Sequence, residues 1–258
     1  MAEAAWSSDG LEFLRHCYRF VDLTWPHSPR DESSDQGFEA QFRAESIREL
    51  RGWTVSQHRE MGFGIDVEPA SGAPHEVDLI ASTERVTGIA ELKKREDQVV
   101  GKNDVIVFFA KLVDYLCHNP FLLLKDVCPV FLTSLSFDMS GLAACLGLGI
   151  HPVSPKLRPL PYLAWSCQLI ASELDYGVVV TQSEKDAAED LTNRVTTLLE
   201  DLDNTWVGHR FIQQSETQIG VIAADPPLVQ TAARELLAVN AMATELIGIF
   251  KSKKQAAS

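Results

Sequence analysis

A chain of 258 residues with 45% hydrophobic and 23% charged residues has ample apolar material for a buried core, which excludes a disordered or collagen-like polymer. Its formal net charge of −13 argues against non-specific coating of nucleic acid, a process that needs basic surface to release counterions. No run approaches the roughly 20 apolar residues of a bilayer span, and the N-terminus lacks a basic and apolar leader, so the expectation is a cytoplasmic protein with no membrane segment.

The five cysteines are scattered without CxxC spacing and read as ordinary reduced residues. The acidity is uneven. From Glu173 to Asp203 there are nine acidic and two basic residues, whereas Glu84 to Lys125 holds seven basic and six acidic ones, a stretch that tolerates a polyanion.

Gly10 to Leu23 predicts an amphipathic helix through Leu11, Leu14, Tyr18 and Val21, followed by a polar loop over 25–36. Gly37 to Arg51 returns to helical spacing through Phe38, Phe42, Ile47 and Leu50, with Gly52 as the stop and Trp53 to Ser56 as a strand. Gly62 to Pro74 reads as a turn or loop. His75 to Ser82 and Val86 to Lys94 predict two strands joined tightly at Glu84-Arg85, with Val77, Leu79 and Ala81 on one face and Glu76, Asp78 and Ile80 on the other. Asn103 is placed to cap a helix to about His118, its apolar side being Val107, Ala110, Leu112 and Leu116. A strand from Pro129 to Phe137, a helix from Ser140 to Gly147 and a strand from Ile150 to Val153 complete an α/β layer with a mixed sheet.

Beyond Lys156 the pattern becomes helical near 164–174, 183–202 and 228–250, with a hairpin over 209–223. The stripe Leu191, Val195, Leu198, Leu202 predicts a face packed on the first domain rather than on a partner helix. The chain thus divides into an N-terminal helix and loop (1–36), an α/β core (37–155) and a mostly helical C-terminal region of unknown role (156–258).

The chemistry concentrates in His75-Glu-Val-Asp78, twelve intervening residues, and Glu91-Leu92-Lys93. Glu91 and Lys93 are two apart on a strand and project from one face. With the hairpin turn centred between Glu84 and Arg85, Asp78 sits directly across from Glu91. Opposed carboxylates about 5 Å apart repel, so the pair needs a cation between them. Lys93 can be that cation, and so can a divalent metal. Two carboxylates with the strand carbonyl of Leu92 suit Mg²⁺ or Mn²⁺.

This arrangement, preceded by a helix bearing Glu39 and followed by a helix and a strand, resembles the PD-(D/E)XK nuclease superfamily, with spacing nearest to Holliday-junction resolvases and Mrr-type nucleases. The resemblance covers residues 37–154, the segment from Phe38-Glu39-Ala-Gln-Phe to Val55 resembling the first helix of that group; the proline-aspartate pair is absent, since Val77 precedes Asp78. It implies a restriction-endonuclease-like mixed central sheet flanked by helices, with a helical C-terminal extension, and a metal-dependent endonuclease acting on DNA. Asp78, Glu91 and the Leu92 carbonyl would hold Mg²⁺ (or Mn²⁺), Lys93 would position the attacking water, and Glu39 would join through a water. Glu45 and Glu49 on the same helix compete with Glu39 for that part. His75, Lys102, Asn103 and Lys111 read as surface residues near the site, the last three with a phosphate-contacting alternative.

Two functional expectations follow. One is a DNA-cleaving enzyme, with a homodimer supplying two sites for two strands. The other is a catalytically weak or inactive nuclease-fold module in a defence or repair assembly, reached by a protein partner through the acidic C-terminal helices.

Overall fold

The computed structural model describes residues 8–27, 35–56, 65–67, 70–73, 75–175, 180–205, 211–215, 218–221 and 226–256. Its centre is a five-stranded sheet in the order β1-β4-β5-β6-β7. The strands are β1 (Thr54–Val55), β4 (Leu79–Ser82), β5 (Val86–Lys93), β6 (Asp126–Thr133) and β7 (His151–Val153). β1, β4 and β5 pair antiparallel, while β5, β6 and β7 pair parallel, so the sheet is mixed. Two short strands, β2 (Ile65–Val67) and β3 (His75–Val77), form a separate antiparallel pair.

β5 is buried from Val86 to Leu92, which requires cover on both faces of the sheet. On one face lie α1 (Ser8–Arg19), which ends in a π-helical turn at Phe20–Thr24, and α2 (Asp35–Glu49). They bring Phe13, Leu14, Phe20, Phe38 and Phe42 against Leu79, Ala90, Leu92 and Val130. The approach is close enough that β5 carries Gly88 there: a Cβ would stand 2.5 Å from the Phe13 ring. On the other face, α3 (Lys102–His118) and α4 (Met139–Leu148) bury Val105, Phe108, Leu112 and Cys145 against Ile80, Ile89 and Phe131.

The C-terminal region consists of α5 (Leu160–Asp175), α6 (Gln182–Thr205) and α7 (Pro226–Ala256), with an antiparallel hairpin of β8 (Phe211–Ser215) and β9 (Gln218–Val221). The architecture is therefore α/β, a mixed five-stranded sheet flanked by helices with a helical C-terminus. No helix among the described residues is long and apolar enough to cross a membrane.

Several local expectations are corrected. The Leu191, Val195, Leu198, Leu202 stripe is buried on α5 and α7, its own neighbours, rather than on the sheet domain. Residues 65–67 form a strand inside the stretch expected to be a turn, because β3 offers them a partner; residues 62–64, 68–69 and 74 of that stretch, like most of the loop over 25–36 and both ends of the hairpin over 209–223, lie outside the described residues. Val77 belongs with Ile80 rather than with Leu79 and Ala81, since the chain leaves one sheet and enters the other at Asp78 and the alternation loses its phase there. The α3 cap is Gly101, whose N–H donates to Asp104 Oδ2 at 3.1 Å, and the buried side is Val105, Phe108, Leu112 and Leu116, with Val107 56% exposed. β6 starts at Asp126 and stops at Thr133 because it pairs with β5 along its whole length.

Candidate active site

Asp78 occupies the step between β3 and β4, at the level where β5 reaches Glu91. The β4–β5 register pairs Ser82 with Thr87 through Leu79 with Ala90, and one step further places Asp78 across from Glu91, the opposition expected from the turn centre. Asp78 Oδ2 accepts the Leu92 N–H at 2.5 Å. In an extended strand the N–H and C=O of one residue point to the same edge, so the Leu92 carbonyl faces the same gap. Glu91 and Lys93 share a face of β5, with Lys93 Nζ 3.5 Å from Glu91 Oε1. Aspartate, glutamate, lysine and the strand carbonyl are thus brought to one end of the central strands.

Two helices complete the site. From α3, Lys111 Nζ donates to Glu91 Oε1 at 2.9 Å and to the Glu76 carbonyl at 3.0 Å. Lys111 is therefore part of the carboxylate cluster. From α2, Glu39 is the acid whose charge reaches both Asp78 and Lys93. Its competitors are engaged elsewhere, Glu45 and Glu49 both pairing with Arg48. One turn after Glu39, Arg43 Nη2 donates to the Asp78 carbonyl at 3.1 Å, which fixes the backbone at the strand step. Sequence reasoning missed Arg43; its signal was the i, i+4 relation to Glu39 on one helix face.

The electrostatics are those of an anion-rich, desolvated pocket. Burial, then the charges of Glu91 and Glu39, push the Asp78 carboxyl up to about 8, against the opposing Leu92 N–H and Lys93. Burial works against the Lys93 charge, but Glu91, Asp78 and Glu39 together outweigh it and hold the ammonium above its ordinary value. Glu91 is 3% exposed, and its Oε2 has no hydrogen-bond partner among the described residues. A buried carboxylate oxygen left open in this way fits a metal ligand. Among the described residues no group of three or more His, Cys, Asp or Glu side chains is set to hold a metal ion, so any ion here would rely on two carboxylates, a carbonyl and water.

Beside the site, His75 does not approach the carboxylates. Its Nε2 lies 2.8 Å from Asp114 Oδ2, and Asp114 Oδ1 accepts the Ser71 N–H at 2.8 Å. Hydrogen bonds from Ser71 hold the Asp114 carboxyl below its usual range, with His75 assisting. Lys102 and Asn103 are exposed at the start of α3, and no contact ties them to the cluster among the described residues.

No family model matches the sequence, and no curated protein matches it. Among solved structures, the chain is similar to a crystal structure of a protein of unknown function, AF1548, with 13% identity and a TM-score of 0.37 over 83% of this chain and 98% of the other.

Proposed function

We propose that this protein is a metal-dependent nuclease of restriction-endonuclease-like fold that hydrolyses phosphodiester bonds in DNA. The observation that carries this reading is the opposition of Asp78 and Glu91 in a buried gap, with an open Glu91 oxygen and Lys93 beside it. Asp78, Glu91 and the Leu92 carbonyl would hold Mg²⁺ or Mn²⁺, and Glu39 would join through a water. A bound divalent ion lowers the pKa of its water and offsets charge on the phosphate. Lys93, kept protonated by its acidic neighbours, orients the water that attacks phosphorus. Lys111 offers a second positive charge, Arg43 keeps the Asp78 backbone in place, and a homodimer would cut both strands.

The test is incubation of the protein with plasmid and Mg²⁺ or Mn²⁺. Nicking is expected, and Asp78→Ala and Lys93→Ala should each abolish it. Cleavage that persists unchanged in both variants rules the assignment out.

One observation favours the second reading, a nuclease-fold module without cleavage that works by capturing a protein partner. Lys111 already sets a positive charge on Oε1 of Glu91, beside the open Oε2 that a divalent ion would use. A calorimetric titration with Mg²⁺ and Mn²⁺ read beside the nicking assay separates the two: no uptake of either ion rules out the enzyme, while uptake that Glu91→Gln weakens, with no cleavage of any nucleic acid and stable capture of a protein partner, supports the module.

A further inference from the structure

On the side of the sheet covered by α1, a cavity of about 490 Å³ opens between α1, α5 and α7, within the usual size range of small-ligand sites. None of Asp78, Glu91 and Lys93 lines it. Its charge runs against that of the chain: Arg15, Arg19, Arg158, Lys251 and Lys254 contribute to the wall, with Asp22 as the acid, in a protein of net charge −13.

Arg158 is the built element. It is 7% exposed, its backbone N–H donates to Asn240 Oδ1 at 2.7 Å, and its Nη1 donates to Thr244 Oγ1 at 3.0 Å. Its guanidinium carbon lies 4.8 Å from the centre of the Tyr18 ring. Among the described residues no carboxylate forms an ion pair with it. A buried guanidinium without an anion is costly, so the cavity is prepared for negative charge.

The rest of the wall is aromatic. Tyr162 and Trp165 stack at 5.5 Å and 21°, Tyr18 leans on Tyr162 at 5.4 Å, and Arg15 lies over Trp165 at 5.8 Å. Clustered rings with guanidinium groups on their faces provide stacking for a flat ring, and the fork of arginine suits the oxygens of a phosphate.

We propose that this cavity binds a nucleotide, its phosphate held by Arg158 with Lys251 and Lys254 and its base against Tyr162 and Trp165. The shared chemistry is a phosphate joined to a flat ring, whether from a free nucleotide or from the end of a nucleic-acid strand. The site does not depend on the nuclease assignment.

The experiment is calorimetry on the full chain in EDTA, repeated in a Glu91→Gln background so that the carboxylate site cannot account for binding. The probes are adenosine 5′-monophosphate, a 5′-phosphorylated thymidine dinucleotide, adenosine and inorganic phosphate. Saturable binding of one of the first two is expected, and the tighter of them identifies the source. Loss of a charge-assisted hydrogen bond weakens binding by roughly tenfold or more, so Arg158→Gln should do so, as should the exposed double change Lys251→Glu with Lys254→Glu, which leaves the core untouched. Adenosine and phosphate alone should each bind at least about tenfold more weakly. The proposal is overturned if neither phosphorylated probe binds, if adenosine or phosphate binds as well as they do, or if the Lys251/Lys254 variant binds undiminished.

Discussion

The hold of Lys111 on Glu91 can be measured directly by a double-mutant cycle with Lys111→Met and Glu91→Gln. The two side chains are 22% and 4% exposed and 2.9 Å apart, so the pair is largely out of water. At an effective dielectric near 20, unit charges at that distance attract by about 6 kcal/mol, and desolvation of both groups offsets more than half of it. Lys93, 3.5 Å from the same oxygen, partly compensates when Lys111 is lost. A coupling energy of about 2 kcal/mol is therefore expected from urea unfolding of the four proteins in EDTA. The same geometry makes Lys111 a competitor for a cation, so Lys111→Met should bind Mg²⁺ about tenfold more tightly, equivalent to about 1.4 kcal/mol. Single changes that add to within about 0.5 kcal/mol, with Mg²⁺ affinity unaltered, would refute the argument.

Glu39→Gln should slow plasmid nicking by about tenfold, whereas Glu45→Gln should leave the rate unchanged, since Glu39 is the acid of α2 whose charge acts on Asp78 and Lys93; equal effects would remove Glu39 from the site. Burial lowers His151 to about 3 and His16 to about 4, the latter against the charge of Glu49. Both histidines stay neutral in the fold and accept protons when unfolded, so their stabilising contribution is complete above pH 6.5 and fades as pH falls toward those values. At pH 5 each accounts for a loss of about 2 kcal/mol relative to pH 7, which His151→Phe and His16→Gln should each remove from the pH dependence of the urea midpoint. Gly88→Ala should cost about 2 kcal/mol by pressing on Phe13, and Phe13→Leu in the same chain should recover part of it; a Gly88→Ala protein as stable as the parent in urea would show that the ring yields freely.

Much of the site was legible because it rests on strand arithmetic. A tight turn at Glu84-Arg85 sets one register, and that register alone brings Asp78 opposite Glu91. Periodicity alone left three acids on α2 as candidates, with Glu39 chosen by resemblance; that its charge acts on Asp78 and Lys93 while Glu45 and Glu49 pair with Arg48 is a tertiary matter. Lys111 looked like a surface lysine because the apolar run 105–110 leaves the phase of α3 ambiguous. Once Phe108 and Leu112 are known to face the sheet, Lys111 borders that face and reaches the carboxylates. The misplaced Val77 has a similar origin, since alternation cannot reveal that a strand breaks at the residue it is being used to orient. The cationic cavity drew on residues more than 200 positions apart, from Arg15 to Lys254, and no local pattern announces such a wall.

The ten residues of α4 serve two cores at once: Leu142, Ala143 and Leu146 join α5, α6 and α7, while Cys145 joins the layer under the sheet. A shared helix of this kind ties the melting of one layer to that of the other, because neither can lose it and keep its own packing. Scanning calorimetry should accordingly record one endotherm whose van't Hoff and calorimetric enthalpies agree, and two resolved peaks would mean that the layers unfold as independent units.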